Sequence, residues 1–502
     1  LLSQRSGGLD PEFALTYSFW PWRLVGLIAP DIFGTPAAGT YWGYGNYWED
    51  AIYIGVFPLL MAIGAASRQF RKGQGNRPLS RFLFISALVV LILAFGKNTP
   101  VFRFLYEHIP SFDLFQAPTR WNLLFVFSAA LLAGIGVSHW KTPEGRGLYW
   151  TRLGTAGAGI IGAASYGGAW LLNAVEVTFV PAFARAGVLL FAAGLLTLFL
   201  NKSKRWGVLF SIGLFVLVDL VTAGYGLNPV VDAGVFQGKS RLADVVDGRE
   251  RVYMPPEMEA QLKFEQTHRF DTFYPGIDWR TVRDVGLPNT PMLDGIASAN
   301  NFDPFTPARY EQWMLWLDSL PPDVQASVMR WTDVGWRARW DEDGALGISY
   351  EDLGAASRAL LVPQAATGIG PDQALAALSN PMFDASSQIL IESTQAPLST
   401  GSGGQAVIRP QANPNKVYVE TSADGGGWLL LSDSWYPGWK VYVDGEQTEL
   451  YRANYLFMGT WVPEGQHQVV FSYRPGFVVP AALTSAIGWL AVVILAVRQR
   501  RR

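Results

Sequence analysis

Residues 477–497 read FVVPAALTSAIGWLAVVILAV, and the chain then ends in RQRRR, from Arg498 to Arg502. The first stretch carries no charge over 21 residues, which is about the length at which an α-helix crosses the hydrocarbon core of a bilayer. The basic tail is typical of the cytoplasmic flank of such a helix, because lysine and arginine are retained on the inner side. The C-terminus therefore predicts a membrane-spanning helix whose end lies in the cytoplasm.

Six other segments have the same apolar character and are also predicted to be membrane helices. Before them, an aromatic-rich stretch at 14–29 is interrupted by Pro21 and Arg23, which favours an interfacial or re-entrant helix over a spanning one. The six segments lie at about 51–67, 82–96, 120–138, 153–173, 184–200 and 207–224.

Basic residues cluster between these segments, at about 68–81, 141–152 and 202–205, in addition to the C-terminal tail. The positive-inside rule assigns all four clusters to the cytoplasm, and seven crossings satisfy that assignment without exception. We therefore expect a multi-pass protein of the bacterial cytoplasmic membrane. Residues 1–50 and 226–474 would then lie on the outer face.

The composition excludes several functional classes. Half of the residues are hydrophobic and only 16% are charged, which rules out a disordered chain and is low for a soluble enzyme. The sequence has no cysteine, and its four histidines are far apart, so it offers no disulfide scaffold and no thiol nucleophile, and a histidine metal site is not expected. Nucleic acid is not an expected partner, because the basic residues lie in short clusters between apolar runs.

The region 226–474 differs from the rest of the chain in charge, with 18 Lys and Arg against 31 Asp and Glu. Apolar residues recur at helical spacing in Tyr310 to Leu320, and a second helix is expected from Asp372 to Leu378. Short alternating strands follow from residue 405, with Asp444-Gly445 as a hairpin turn, and evenly spaced strands of this kind suggest a β-sandwich.

The predicted fold is thus a polytopic α-helical membrane protein of about seven transmembrane helices, with an extracytoplasmic α+β domain that ends in a β-sandwich. The predicted parts are an outer loop with an interfacial helix (1–50), a six-helix membrane domain (51–225), an α+β region (226–404), the sandwich (405–474), and the final helix with its basic tail (475–502).

Several motifs resemble those of one family. The C-terminal part contains LLLSDSWYPGWKVYVDG at 429–445, followed by YRANYLF and, at 461–475, WVPEGQHQVVFSYRP. The membrane half contributes PDIFG at 30–34, YWG at 41–43 and FQAPTR at 115–120. With these motifs the chain resembles the bacterial YfhO-type membrane proteins, which are similar to polytopic GT-C-class glycosyltransferases.

The resemblance implies transfer of a sugar from a polyprenyl-phosphate carrier to an extracytoplasmic glycan acceptor. It also implies a key acidic residue in the first outer loop, after the first membrane helix. Because the chain begins at Leu1 with no signal-like order, we expect it to lack that N-terminal part, and the acid is not assigned to any position here. The alternative is a non-catalytic membrane subunit that scaffolds an outer-face complex with membrane protein partners.

A lipid-linked sugar donor needs a cation for the leaving phosphate and a carboxylate that deprotonates the acceptor hydroxyl or holds a metal. Arginine suits phosphate because its planar fork donates two parallel bonds. No metal ligand is assigned, and a divalent cation is left open as a cofactor. The candidates are Glu49 and Asp31 as catalytic carboxylates, and Arg120, Arg23, Trp42 and Tyr41 as groups that bind the lipid-linked sugar.

Each candidate also has a structural interpretation. Arg120 is an interfacial anchor in the alternative view, and acids beside a helix N-terminus cap it, which is the interpretation we favour for Asp50. Asp219 lies within an apolar segment, where pairing with Arg185 or Tyr225 is favoured over catalysis. If a lipid phosphate is bound, we expect Arg120, Arg23 and Glu49 to converge on one cavity.

The remaining candidates also have a functional and a structural interpretation. Lys97 and Arg103 would contact lipid phosphates, and the acidic and histidine side chains of the loop 97–119 are expected to be solvated. The aromatic side chains of the predicted sandwich are a sugar-stacking platform in one view and core in the favoured view. They are Trp428, Trp435, Tyr436, Trp439 and Tyr442.

Overall fold

The chain folds into two compact units, which we call the helical unit (residues 5–232 and 260–277) and the sheet unit (residues 1–4, 233–259 and 278–502). The computed structural model describes residues 8, 10–68, 78–110, 112–139, 143–171, 179–199, 205–228, 230–246, 250–267, 278–303, 306–354, 357–410 and 413–500.

All six apolar segments of the helical unit coincide with helices. The bounds are α1 Pro11–Ala14, α2 Val56–Ser67, α3 Pro78–Ala94, α4 Pro100–His108, α5 Asn122–Ser138, α6 Gly145–Leu171, α7 Phe179–Phe199 and α8 Arg205–Gly224. The stretch 14–29, expected to form an interfacial or re-entrant helix, contains a helix of the 3₁₀ type, and its placement at a membrane surface stays a prediction. Pro21 starts a short 3₁₀ helix, Pro21–Leu27, and Arg23 within it is buried.

Among the described helices, three are long and apolar enough to cross a membrane, and three more are apolar but shorter. The three long ones are Pro118–Ser138, Phe179–Leu198 and Val478–Arg498, and the shorter ones are Val56–Ser67, Pro78–Ala94 and Leu209–Gly224. Their surfaces remain rich in exposed leucine, isoleucine, valine and phenylalanine, as expected of helices that face a lipid environment.

Small residues bring the helices together. A Cβ on Gly187 of α7 would lie 2.5 Å from the Cα of Gly162 on α6, so the two backbones touch only because both positions are glycine. Gly136 of α5 packs in the same way against the carbonyl of Met61 on α2. Close backbone approach at small residues is a common way for membrane helices to associate.

The sheet unit contains short helices, fourteen described strands and the C-terminal helix. Its helices are α9 Leu242–Val245, α10 Pro256–Ala260, α11 Trp279–Asp284, α12 Ala308–Ser319, α13 Pro322–Trp331, α14 Pro371–Leu378 and α15 Val478–Arg500. Its strands are β1 Arg251–Tyr253, β2 Val334–Ala345, β3 Ile348–Asp352, β4 Ala359–Val362, β5 Gln364–Thr367, β6 Gln388–Ile391, β7 Gly404–Arg409, β8 Lys416–Ala423, β9 Gly427–Leu431, β10 Trp439–Val443, β11 Glu446–Thr448, β12 Tyr451–Ala453, β13 Phe457–Val462 and β14 Gly465–Tyr473. Both helices predicted from spacing, α12 and α14, are confirmed.

Eleven of these strands form one sheet in the order β11-β10-β14-β8-β7-β4-β9-β13-β12-β6-β5. One face of seven of them, from β10 to β13, closes around a shared core that contains Val419, Leu429, Leu431 and Phe471, so the sheet curls on itself. The expected two-sheet sandwich over 405–474 is therefore replaced by a single curled sheet, which begins upstream at β4. β1, β2 and β3 form a separate small sheet.

The hairpin predicted at Asp444-Gly445 is confirmed. β10 pairs with β11 antiparallel, with Val443 opposite Glu446. Asp444 and Gly445 have φ of 48° and 89°, the left-handed pair that a two-residue primed turn requires. The matched twist of this turn holds the edge of the curled sheet in register.

Candidate functional site

The predicted site residues lie in two segments of the helical unit, residues 23–49 and the start of α5. Glu49 and the adjacent Asp50 end a stretch of turns shortly after Tyr47. Arg120 sits in a short 3₁₀ helix, Pro118–Trp121, that leads into α5. Pro118 suits this start because its fixed φ is already helical and its missing N–H is not needed there.

Glu49 and Arg120 form an ion pair. Nε of Arg120 lies 3.0 Å from both carboxylate oxygens, and Nη2 lies 2.7 Å from Oε1. The arginine side chain is 58% exposed and the glutamate 22%, so the pair adds at most about 1 kcal/mol to stability. Arg120 is therefore held in one orientation while much of its guanidinium faces outward.

Asp50 and Arg23 form a second pair, and this one is buried. Nη1 of Arg23 lies 2.9 Å from Oδ2 of Asp50, and both side chains are 6% exposed. Thr119 donates its hydroxyl to Oδ1 of Asp50 at 2.6 Å, while Arg23 also donates to the Tyr41 hydroxyl and the Tyr44 carbonyl. This network places a buried carboxylate directly behind the exposed Glu49–Arg120 pair.

Gly43 allows Arg23 to reach these partners. A Cβ on Gly43 would lie 2.6 Å from Nη2 of the arginine and 2.8 Å from the Tyr41 hydroxyl. A larger residue would therefore push the guanidinium or the phenol out of place. The YWG motif thus supplies both a hydrogen-bond acceptor and the room beside it.

Burial raises the pKa of Asp50 to about 6, although Arg23 and the Thr119 hydroxyl act in the opposite direction. Burial likewise raises the pKa of Tyr41, and that of Tyr47 to about 12. Asp50 is thus a carboxylate that is ionised near neutral pH and takes up a proton more readily than an ordinary aspartate.

A cavity of about 220 Å³ opens beside this pair. Asp50, Arg23, Tyr41, Tyr47 and Tyr53 contribute its polar side chains. Apolar side chains complete the wall, among them Pro30, Phe33, Ile52, Leu220 and Leu227. The cavity therefore combines one buried carboxylate, one arginine and three phenols with an otherwise apolar surface.

Asp31 is held in a different ion pair. Arg185 of α7 binds its carboxylate and also donates to the Thr222 hydroxyl at 3.2 Å and to the Asp219 carbonyl at 3.3 Å. Burial raises the pKa of Asp31, against the effect of Arg185. Its neighbour Pro30 lines the cavity while Asp31 itself does not, so Asp31 joins α7 and α8 to the loop at the rim of the site.

Asp219 is fully buried and acts as the cap of α2. Its carboxylate accepts from the Val56 N–H at 2.9 Å and from the Tyr53 hydroxyl at 2.5 Å. The favoured structural interpretation holds, but neither expected partner binds this carboxylate, since Arg185 contacts only the backbone oxygen and Tyr225 is 84% exposed. The cap interpretation of Asp50 is wrong, because α2 begins six residues later and Asp219 occupies its N-terminus.

The two aromatic candidates, Tyr41 and Trp42, differ in burial. Tyr41 is buried against Tyr47, with ring centroids 5.4 Å apart. Trp42 is 59% exposed and packs edge-on against Phe33, over whose ring Arg23 lies at 5.3 Å. Trp42 thus lies at the outside of the same group of side chains.

Lys97 of the loop after α3 lies over two aromatic rings, those of Trp20 and Tyr44, at 5.8 and 5.5 Å. Arg103 pairs with Glu107 one turn along α4, on an exposed face. The first arrangement links a cation to the aromatic surface near the site, whereas the second is an ordinary surface pair.

Of Arg120, Arg23 and Glu49, which were expected to converge on one cavity, only Arg23 lines this cavity, together with Tyr41. Glu49 and Arg120 are linked to Arg23 and Tyr41 through two residues that sequence reasoning did not select. These are Asp50, which was assigned to a cap, and Thr119, which lies unremarked within FQAPTR. Among the described residues, no group of three or more His, Asp or Glu side chains is arranged to hold a metal ion.

In the sheet unit, one of the five aromatic candidates belongs to the core, and the other four, Trp435, Tyr436, Trp439 and Tyr442, are half-buried. Trp428 is fully buried, and Arg452 lies 4.1 Å from the centroid of the Trp435 ring. Trp439 differs from the other half-buried candidates because it lines a separate cavity of the sheet unit.

Comparison with known proteins gives one finding. Residues 403–485 match the family described as bacterial membrane protein YfhO, and this segment contains the C-terminal motifs quoted above. No curated protein and no solved structure matches the chain at a significant level. Over this C-terminal part, which reaches into the apolar helix α15, the chain is similar to YfhO-type bacterial membrane proteins.

Proposed function

We propose that this protein transfers a sugar from a polyprenyl-phosphate carrier to an extracytoplasmic glycan. The observation that carries the proposal is the buried Asp50, fixed by Arg23 and Thr119, at the wall of a mostly apolar cavity. A general base works best when its pKa lies near the operating pH, and Asp50 meets that condition.

In the proposed reaction, Asp50 accepts the proton of a hydroxyl group on the acceptor. At the same time, the oxygen of that hydroxyl forms a bond to the anomeric carbon of the donor sugar. The bond from that carbon to the phosphate oxygen breaks, and the carrier phosphate leaves with the electron pair. Arginine is suited to hold that charge. We assign the phosphate to Arg120, whose bonds to Glu49 run through Nε and Nη2 and do not involve Nη1, the nitrogen that would bind the phosphate in this proposal.

Glu49 takes the supporting part in this proposal. It orients Arg120 rather than acting as the base, because its carboxylate is engaged by two nitrogens of that arginine. Asp31 has a similar supporting part through Arg185. The outer aromatic group with Trp42 and the cavity wall with Tyr41 would receive the sugar and the first part of the isoprenoid. A divalent cation remains a possible helper, without a ligand set among the described residues.

The test is a transfer assay with the full-length protein in membranes, using radiolabelled polyprenyl-phosphate sugar. Asp50→Asn should lower kcat by at least about 100-fold, the usual contribution of a general base. Glu49→Gln should mainly raise KM for the lipid donor. Glu107→Gln, which removes an exposed carboxylate from a surface pair, should leave transfer unchanged. Full transfer by Asp50→Asn would refute the assignment, and absence of transfer by the wild type would favour the scaffolding subunit.

We also propose seven crossings, with the sheet unit on the outer face of the cytoplasmic membrane. The support is the alternation of the four basic clusters, and the helices at all seven apolar segments. The chain has no cysteine, so single cysteines are clean reporters. Ser399→Cys should react with an impermeant maleimide in intact cells, and Ser203→Cys should react only after permeabilisation. Labelling of Ser203→Cys in intact cells would overturn this topology.

A further inference from the structure

A second, larger cavity of about 410 Å³ lies within the sheet unit, in the range of small-molecule sites, about 300–1,000 Å³. It opens between α12 and the loop that joins β9 to β10. Asn301 and Asp303 lie at its exposed rim. Part of its wall is the Ser432-Asp433-Ser434 segment of the family motif, so the matched region contributes directly to this cavity.

One wall of the cavity is polar and fixed. Nη1 of Arg251 donates to the Thr332 carbonyl at 3.0 Å and to the Ser432 carbonyl at 2.8 Å, and Nη2 donates to Asp433 at 2.7 Å. Arg358 also donates to the carboxylate of Asp433, through Nη2 at 2.6 Å and through Nε at 2.9 Å. These bonds hold Arg251 and Asp433 in position before any ligand arrives, which reduces the ordering cost of binding.

The opposite walls are aromatic and apolar. Trp313 and Phe457 form the floor and are each 4% exposed, whereas Tyr310 and Trp439 are half-buried beside the opening. Trp439 is braced by Tyr473, with ring centroids 5.3 Å apart. Its ring is therefore a rigid surface next to a row of fixed hydrogen-bonding groups.

This combination selects the chemistry of the ligand. The two arginines face two carboxylates, because Asp433 is bonded to both and the buried Asp333 interacts electrostatically with both, so the wall does not offer an uncompensated cation to a phosphate or a carboxylate ligand. A pyranose ring meets both requirements, because it is apolar on its C–H faces and polar around its edge. Its flat face would lie against Trp439, and its hydroxyls would bond to the fixed polar groups.

We propose that the cavity binds an uncharged saccharide. The identity of this saccharide rests on the proposed function: it would be a unit of the acceptor glycan. The sheet unit would hold that glycan while the end of the glycan receives the new sugar. The binding part of the proposal concerns only the sheet unit, and is therefore tested separately from transfer.

The experiment measures binding to the full chain in lipid nanodiscs, because maltoside and glucoside detergents would themselves offer sugar headgroups. Maltotetraose and chitotetraose serve as neutral probes and tetragalacturonate as the anionic one, with saturation-transfer NMR and calorimetry as readouts. At least one neutral probe should bind, and tetragalacturonate should bind at least about tenfold more weakly. Loss of binding should follow Trp439→Ala, by about tenfold or more.

Two further variants keep the outcome interpretable. Ser434→Trp fills the cavity without removing its aromatic wall, and should abolish binding even if Trp439→Ala disturbs β10. Trp340→Ala removes an exposed tryptophan of the same unit that does not line the cavity, and should bind like the wild type. Binding of no neutral probe, or undiminished binding by Ser434→Trp, would overturn the proposal. Normal binding with no transfer would instead count against the proposed function.

Discussion

Asp433 is the residue whose replacement should most weaken the sheet unit. Its carboxylate receives hydrogen bonds from Arg251 at 2.7 Å and from Arg358 at 2.6 and 2.9 Å, and its side chain is 14% exposed. Asp433→Asn keeps the shape but leaves two guanidinium groups without their anion. Removing one partner of a buried pair costs about 3–5 kcal/mol. Because Arg358 is 37% exposed and can be solvated, we expect the lower end, about 3 kcal/mol.

The pH dependence gives a second signature. Burial by itself raises the pKa of Asp433, but the bonds from Arg358 and the charge of Arg251 outweigh it and hold the pKa below its ordinary value. The carboxylate therefore stabilises the folded state fully above the unfolded pKa, about 3.9, and this contribution is lost as the pH falls through the folded pKa. The difference between wild type and Asp433→Asn should be constant near neutral pH and should shrink in acid.

The assay is thermal unfolding of the full chain in nanodiscs, followed by tryptophan fluorescence. A loss of 1 kcal/mol lowers Tm by about 2–4 °C in a unit of this size, so Asp433→Asn should unfold at least about 6 °C earlier. Asp424→Asn removes an exposed aspartate of the same unit, just after β8, and should change stability by less than about 0.5 kcal/mol. Equal Tm values for the two variants at neutral pH would refute the reasoning.

Three other outcomes are expected. Gly55→Ala should destabilise the helical unit by more than about 1 kcal/mol in denaturant unfolding, because Gly55 has φ of 91° and an added Cβ would lie 3.2 Å from the Asp219 carboxylate. The control Gly64→Ala should not destabilise the unit, because the space around Gly64 is open. Asp219→Ala should cost about 2–4 kcal/mol in the same measurement, since it removes the cap of α2 and the acceptor of the half-buried Tyr53 hydroxyl. The pKa of His467, raised by its hydrogen bond with Asp444, should fall toward 6.5 in Asp444→Asn when followed by ¹³C NMR of labelled histidine, and an unchanged pKa would contradict the pairing.

The features predicted correctly from the sequence are those set by local pattern. An uncharged run such as 477–497 has few alternatives to a helix, and Asp444-Gly445 between two alternating stretches specifies its own turn. The extent of the sheet was missed for a nonlocal reason. β4 pairs with β9, with Val362 opposite Trp428, across a separation that no turn signal marks. All five residues of β9 are buried, so this strand lies inside the curled sheet instead of alternating between core and solvent.

The candidate site shows the same division between local and tertiary information. Residue type and neighbouring motifs were enough to select Glu49, Arg120, Arg23 and Tyr41, which the fold does bring together. They favoured Glu49 as the catalytic carboxylate and assigned the adjacent Asp50 to a helix cap, because local sequence does not show which of two neighbouring acids is enclosed. The difference arises from Thr119 and Arg23, distant in sequence, which enclose Asp50 and leave Glu49 at the surface. Burial then raises the pKa of one acid to about 6, while the other serves as a counter-ion for Arg120. Which carboxylate carries the proton in our proposal is therefore decided by tertiary enclosure, and the contrast between Asp50→Asn and Glu49→Gln tests that distinction directly.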